Sequence, residues 1–415
     1  MPGPDPLAAD SPLARAFSGA LDLLAQKLAE DERTLGVEFP VVTAPDGQWI
    51  TAPASQSAGY ASDAWSHGNW HCGFLVGLHL AAYIHTGDSR FLGWARERMR
   101  LVAQRADDPN THDIGFIFDS SAVPAFLVTG ERWLAEIALR AACRLRERLV
   151  TTPHGAYLSS WGPMSDPRGR RSSAIDTMAN LPLLYWAANS SGDASFRLTA
   201  DAHAACTRRT FVRDDHSTFH AVEYDESSGQ RVRGYTFQGF GDDSAWARGQ
   251  TWAILGYVRS AHETGKIEYL ELADELLAYY FARLGDDPVP PWDFDAPEFD
   301  RPKDSAAAGI VASALVDLAR LHPDASLAAT YRRKSEWILQ SLCADYLAHD
   351  GRHRGLLRHG CYSKPHAEGV DSATMFGDFF FVEALCKLLH SGRLRPAVTR
   401  FGGTSRAAAA HRRSD

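Results

Sequence analysis

Apolar residues recur at helical spacing through most of this chain. Leu21, Leu24, Ala25 and Leu28 share one face of 12–30, and Leu270, Ala273, Leu276 and Leu277 do the same in 266–285. The pattern predicts helices over 12–30, 67–85, 88–106, 114–129, 131–150, 177–190, 193–212, 244–263, 266–285, 304–322, 325–347 and 373–390. Pro124 and Pro182 lie inside or near the start of two runs and predict a kink or a later start there. The patches 218–224 and 231–237 are strand-like and predict a small β-hairpin.

Short turns join many of these runs in pairs. Thr86-Gly87-Asp88, Thr129-Gly130-Glu131, Ser191-Gly192-Asp193 and Thr264-Gly265-Lys266 each place a glycine where a helix ends in a left-handed cap. The acidic residue, where present, suits the start of the next helix. His322-Pro323-Asp324 does similar work without glycine. The other connections are long: 31–66, 107–113, 151–176, 213–243, 286–303 and 348–372. One end of the molecule therefore carries tight turns and the other carries long loops. Twelve runs paired in this way predict an all-α fold, an (α/α) barrel of six hairpins closed into a toroid, with the β-hairpin at its active-site rim. An open solenoid of hairpins is the competing architecture. Closure is favoured because Trp49, Trp65, Trp70, Trp161, Trp246 and Trp292 all lie in the long connections or just after them. Loops converging on one mouth make a pocket, and aromatic faces there can stack on sugars.

Length and composition narrow the partners. The 415 residues contain no Ser- or Gly-rich linker, so 1–390 is expected to form one domain, with 391–415 a disordered tail rich in Arg, Gly, Ser and Ala. A net charge of -8 argues against a nucleic-acid partner. The six cysteines are scattered without a C-x-x-C spacing, as buried free thiols are in a reducing compartment. Met1 to Ala16 lacks an apolar signal core, and no stretch is long enough to span a membrane. A cytoplasmic location is expected, with no membrane partner; a homo-oligomer is left open.

Two aspartates stand where long polar connections give way to apolar runs: Asp113 in His112-Asp113-Ile114-Gly115-Phe116 and Asp176 in Ile175-Asp176-Thr177-Met178-Ala179-Asn180. Each alone is as readily a helix cap. Together, at one end of a barrel, they suit acid/base chemistry on a sugar. The densest polar and aromatic segment is 236–252. There Arg248 is suited to bind a carboxylate bidentately, Trp246 and Trp252 offer stacking faces, and Gln238 can bond hydroxyls. Trp252 as core, or Arg248 paired with Asp242 or Asp243, are the structural alternatives. Trp161 is a loop aromatic and His220 follows a turn. His349, His353, His359 and His366 gather in 348–372, which reads as a solvated loop rather than a metal site. No phosphate loop, dinucleotide fingerprint, H-E-x-x-H or nucleophile elbow is present, and no metal or cofactor is expected.

These motifs, in order, resemble glycoside hydrolase family 88, the unsaturated glucuronyl hydrolases. The matching stretches are Trp70-x-x-Gly73-Phe74, Tyr83-x-x-Thr86-Gly87-Asp88, His112-Asp113-Ile-Gly-Phe, Ile175-Asp176-Thr-Met and Asn180-Leu-Pro-Leu-Leu-Tyr-Trp186. They continue through Val212-Arg213 to His220, Thr236-x-Gln238-Gly239, Ser244-x-Trp246-Ala-Arg248-Gly-Gln-x-Trp252, Pro290-x-Trp292-Asp293-Phe-Asp295 and Asp304-Ser305 to Gly377-Asp378 and Glu383-Ala384-Leu385. The resemblance implies a six-hairpin barrel acting on a sugar or oligosaccharide that ends in a uronate with a C4=C5 double bond. It implies Asp176 as general acid/base and Asp113 as its partner, which holds sugar hydroxyls and raises the Asp176 pKa by like-charge repulsion. His112, Trp70, Trp161, His220, Gln238, Trp246, Arg248 and Trp252 would bind substrate. The chain departs from the family at Leu75, at Ala179 and at Asp215-His216-Ser217, where the family often has Asp-Gly-Ser. The last departure puts a bulky titratable residue near the expected pocket. Two other functions fit the sequence. The same site run in reverse is a dehydratase acting on another sugar, such as a nucleoside in small-molecule biosynthesis, and a barrel that has lost activity is a sugar-binding scaffold.

Overall fold

The computed structural model describes Leu7, 11–55 and 68–390. Trp65, the first ten residues apart from Leu7, and the expected tail 391–415 lie outside the described residues.

The fold is an (α/α) barrel of six hairpins. Its inner ring is α2 (Cys72–Thr86), α4 with α5 (Ile114–Asp119 and Ala122–Thr129), α8 (Thr177–Ser191), α10 (Ala247–Thr264), α12 (Ser305–Leu321) and α14 (Met375–Leu389). The outer ring is α1 (Pro12–Asp31), α3 (Ser89–Val102), α6 (Arg132–Arg146), α9 (Ala194–Thr210), α11 (Ile267–Ala282) and α13 (Ala325–Ser341). A single turn, α7 (Pro167–Arg170), lies in the loop before α8. Each inner helix packs on the next, and α14 packs on both α12 and α2, which closes the ring and rules out an open solenoid. The sixth hairpin is α14 paired with α1, drawn from opposite ends of the fold.

Sequence dictates which helix goes inside. In α12 every residue except Arg320 is buried, and its Ala, Gly and Ser residues let neighbours approach on both sides. In α6 only Leu134, Ile137, Ala138, Ala141, Ala142 and Leu145 are buried, the one-sided stripe of an outer helix. Gly87, Gly130, Gly192 and Gly265 end their helices at φ near +70°, each donating to the carbonyl four residues back. Asp88 and Asp193 then cap the following helices. The tight turns thus fall at one end, as the sequence predicts. No helix among the described residues is long and apolar enough to cross a membrane.

Two elements differ from the sequence reading. The run 114–129 is broken between α4 and α5, where the hydroxyls of Ser120 and Ser121 donate to carbonyls of the preceding turn. Pro124 then sits in the first turn of α5, where its missing N–H costs nothing. The segment 348–372 is more than a solvated loop: it contains β8 (Gly360–Ser363) and β9 (Glu368–Ser372), an antiparallel hairpin. The expected hairpin at 218–237 is present as β6 (Ala221–Tyr224) and β7 (Arg231–Tyr235), joined by β5 (Ser172–Ala174). Two further ribbons, β1 (Glu38–Thr43) with β2 (Trp49–Pro53) and β3 (Leu149–Thr152) with β4 (Gly155–Leu158), complete the loop-rich end.

Candidate active site

Asp113 and Asp176 occupy the N-cap positions of α4 and α8, yet neither carboxylate caps its helix. Both turn instead to His112. Nε2 of that ring lies 3.1 Å from Asp113 Oδ1 and 3.3 Å from Asp176 Oδ2. It sits between the two without forming one well-aligned hydrogen bond. Nδ1 is 2.6 Å from Thr177 Oγ1. Thr111 Oγ1 donates to Asp113 Oδ2 at 3.0 Å. His112 is fully buried, Asp113 nearly so, and the Asp176 side chain is 20% exposed. Its Oδ1 is buried and has no hydrogen-bond partner.

Local packing fixes this arrangement. A Cβ on Gly115 would come within 2.5 Å of the Asn180 side chain, so only glycine lets the starts of α4 and α8 meet. Asn180 then bridges them, accepting from Phe116 N and donating to Asp176 O. Ile175 N donates to His220 O, which sets His220 beside Asp176 at the edge of the β5–β6–β7 sheet. His112 N donates to Ser160 O, which brings Trp161 over His112 with ring centroids 5.7 Å apart.

Burial opposes a charge on His112, but the two carboxylates outweigh it and hold the imidazole up to about 9. At neutral pH the ring is therefore a cation lying between the two aspartates. Ligand atoms of the same three side chains lie within 4.8 Å of one another.

Aromatic rings wall the mouth. Trp70 is partly exposed, lies 5.2 Å from Phe376 and 5.5 Å from Phe116, and donates from Nε1 to Tyr362 Oη. Trp161 meets Phe237 edge-on, and His220 lies 4.0 Å from Phe237 and 4.2 Å from Trp246. Burial, and then the Arg248 charge, push His220 well below its ordinary value, so it is neutral. His71, tilted against Trp70 with ring centroids 4.0 Å apart, is pushed down to about 3 by burial, and neither ring nitrogen has a partner.

Three expectations are corrected. Arg248 does not reach outward for a carboxylate. Its guanidinium is held by Asp304 at 2.7 Å and by the carbonyls of Cys361 and Tyr362, and the residue is 2% exposed. Neither Asp242 nor Asp243 is its partner. Trp252 is core, packed on Phe116 and Phe380. His216 takes φ +64°, the left-handed conformation for which glycine is suited. Its ring pairs with Glu275 on the outer helix α11, at 3.2 Å, and so turns away from the aspartates. Gln238 remains at the site but spends its Nε2 on Tyr362 O.

The sequence reading missed Tyr362, His71, Phe237, Phe116 and Phe376. Tyr362 is the most consequential, because Trp70, Gln238 and Arg248 all bond to it. Its only local signal is the alternation in Cys361-Tyr362-Ser363, within a segment notable for its histidines.

No family model matches the chain. It is 32% identical over 326 residues to the unsaturated glucuronyl hydrolase of Bacillus sp. (strain GL1), covering 77% of this chain and 86% of that one. It is 29% identical to the unsaturated chondroitin disaccharide hydrolase of Streptococcus agalactiae, covering 77% and 81%. Among solved structures, an unsaturated glucuronyl hydrolase variant with dGlcA-Glc-Rha-Glc superposes with a TM-score of 0.84 at 28% identity, covering 93% of this chain and 100% of that one. The Bacillus sp. GL1 enzyme gives 0.81 at 29% identity, covering 94% and 100%. With this likeness running through the barrel, the motif order and the paired aspartates alike, the chain belongs to the unsaturated glucuronyl hydrolases of glycoside hydrolase family 88.

Proposed function

We propose that this enzyme hydrates the C4=C5 bond of an unsaturated β-glucuronyl group at the end of a short oligosaccharide, with Asp176 as general acid/base and Asp113 as its partner. The observation that carries the assignment is the Asp176 carboxylate: partly exposed at the mouth, adjoining a buried imidazolium, with Oδ1 lacking a protein partner.

The C4=C5 bond and the ring oxygen form an enol ether. Asp176 protonates C4, and C5 becomes an oxocarbenium. Water adds at C5 and gives its proton to the same carboxylate. The hemiketal opens and the aglycone leaves without attack at the anomeric carbon. One carboxylate serves twice, as acid and then as base. Asp113, anchored by Thr111, holds sugar hydroxyls. Trp70 and Trp161 offer faces to the sugar, and His220, Gln238 and Trp246 form the wall behind. No feature of the site favours the dehydrating direction.

Residues 1–390 act as one catalytic domain, a reading supported by the α14–α1 pairing across the fold. Six free cysteines suit a reducing, cytoplasmic setting. The test is the near-ultraviolet absorbance of the enol acid in lyase-derived disaccharides. It decays with wild-type enzyme and persists with Asp176→Asn. Absorbance left intact by the wild type across the panel sinks the reading.

A further inference from the structure

We propose that His112 stores the proton Asp176 delivers to C4, passing it from Nε2 to Asp176 Oδ2 and taking it back once per turnover. This rests on the hydration reading above, and assigns His112 a positioning role through Asp176 rather than contact with the sugar.

The ring is placed for this at both ends. Nδ1 is 2.6 Å from Thr177 Oγ1, which lies 3.3 Å from Ser160 Oγ, itself fixed by a donor from Ala174 N. The ring is buried and cannot exchange its proton directly with solvent. Nε2 faces the two carboxylates at 3.1 and 3.3 Å, so among the described residues the short outward route from the ring is Asp176, the more exposed of the pair.

Charged and titratable groups from every neighbouring element agree with a cationic ring. Asp113 precedes α4 and Asp176 precedes α8, and both favour the cation. His203 on α9 is driven down to about 3 by burial and then by the charge on His112, so it is neutral and does not compete for the proton. Arg148, beyond Asp113, is turned to the carbonyls of Pro109, Ser159 and Gly162.

The protons balance. In the free enzyme the proton rests on His112 as an imidazolium. The Nε2 proton moves to Asp176, leaving a neutral ring that keeps its Nδ1–H on Thr177. The proton now on Asp176 forms the C4–H bond with the π electron pair, and C5 becomes cationic. A water oxygen bonds to C5, its proton goes to Asp176, and from there it returns to Nε2.

The experiment is the pH profile of kcat/KM, followed by enol-acid absorbance, for wild type, His112→Asn and Thr177→Val. Wild type should lose activity on the alkaline side near pH 9, where the ring gives up its charge. In His112→Asn that limb should move acidward by about four units, so that the loss is on the order of 100-fold near neutral pH and recovers on acidification. Thr177→Val should move it acidward by about one unit, through loss of the Nδ1 partner. A loss by one common factor at every pH, or an unmoved limb, overturns the proposal in favour of a structural histidine. Nitrogen-15 spectra of histidine-labelled wild type supply a measurement independent of variant folding. An imidazolium near pH 8, perturbed by Asp176→Asn, supports the proposal, and a neutral ring overturns it. If the wild type leaves the substrate intact, the hydration reading has failed instead.

Discussion

Arg248 on α10 is bound by Asp304 at the start of α12, 2.7 Å away, and neither side chain reaches solvent. The same guanidinium holds the Cys361 and Tyr362 carbonyls, so one cation ties two inner helices to the β8 strand. Arg248→Met leaves the Asp304 carboxylate buried without its counter-charge. We expect a loss of about 3–5 kcal/mol in denaturant unfolding. Arg248→Met combined with Asp304→Leu should lose clearly less than the two single changes added together. Additive losses would show the pair to be uncoupled.

Asp176→Asn should lower kcat by about 1000-fold, since it removes general acid/base catalysis. Its Tm should stay within a few degrees of wild type, because Oδ1 makes no hydrogen bond that the amide would lose. A large fall in Tm would mean that the carboxylate is structural.

His216→Gly trades a left-handed strain of about 1–2 kcal/mol against the extra flexibility of glycine and an exposed pair with Glu275. Stability should change by less than about 1 kcal/mol, and kcat and KM should not move. A shift in KM between aglycones would return this turn to the substrate site.

Acid should favour this barrel locally near α1 and α14. Burial drives Asp378 up to about 7 and Asp31 up to about 6, against an ordinary 3.8. A carboxyl raised in the folded state contributes stability that is full below the unfolded value and is lost as pH rises through the folded one. From these two groups Tm should fall between about pH 4 and pH 7. Asp378→Asn should flatten that slope, and an unchanged slope would show that Asp378 does not titrate there.

Much of this architecture is legible in the sequence because its signals are local. Helical spacing locates the ring helices, and Thr-Gly-Asp turns locate the tight end. Asp113 and Asp176 stand out because each interrupts a polar-to-apolar boundary. What resisted reading depends on partners far along the chain. Nothing near Arg248 announces Asp304 or the Tyr362 carbonyl, and Arg248 on its own suits a substrate carboxylate equally well. The break between α4 and α5 depends on serine hydroxyls bonding to the preceding turn, an option any serine carries. His112 read as a substrate-binding residue, whereas space buries it between the two aspartates.

The pairing of α14 with α1 has a consequence for biosynthesis. Arg354, in the connection before β8, bonds Asp31 at the end of α1, and His390, just after α14, meets His85 on α2. Until α14 is made, the growing chain is an arc whose two ends, α2 and α12, show uncovered apolar faces. Ring closure is therefore the last step in the assembly of the barrel. A circular permutant that makes α14 and α1 neighbours in sequence would move that open seam to another hairpin and change when it closes, without altering the finished toroid.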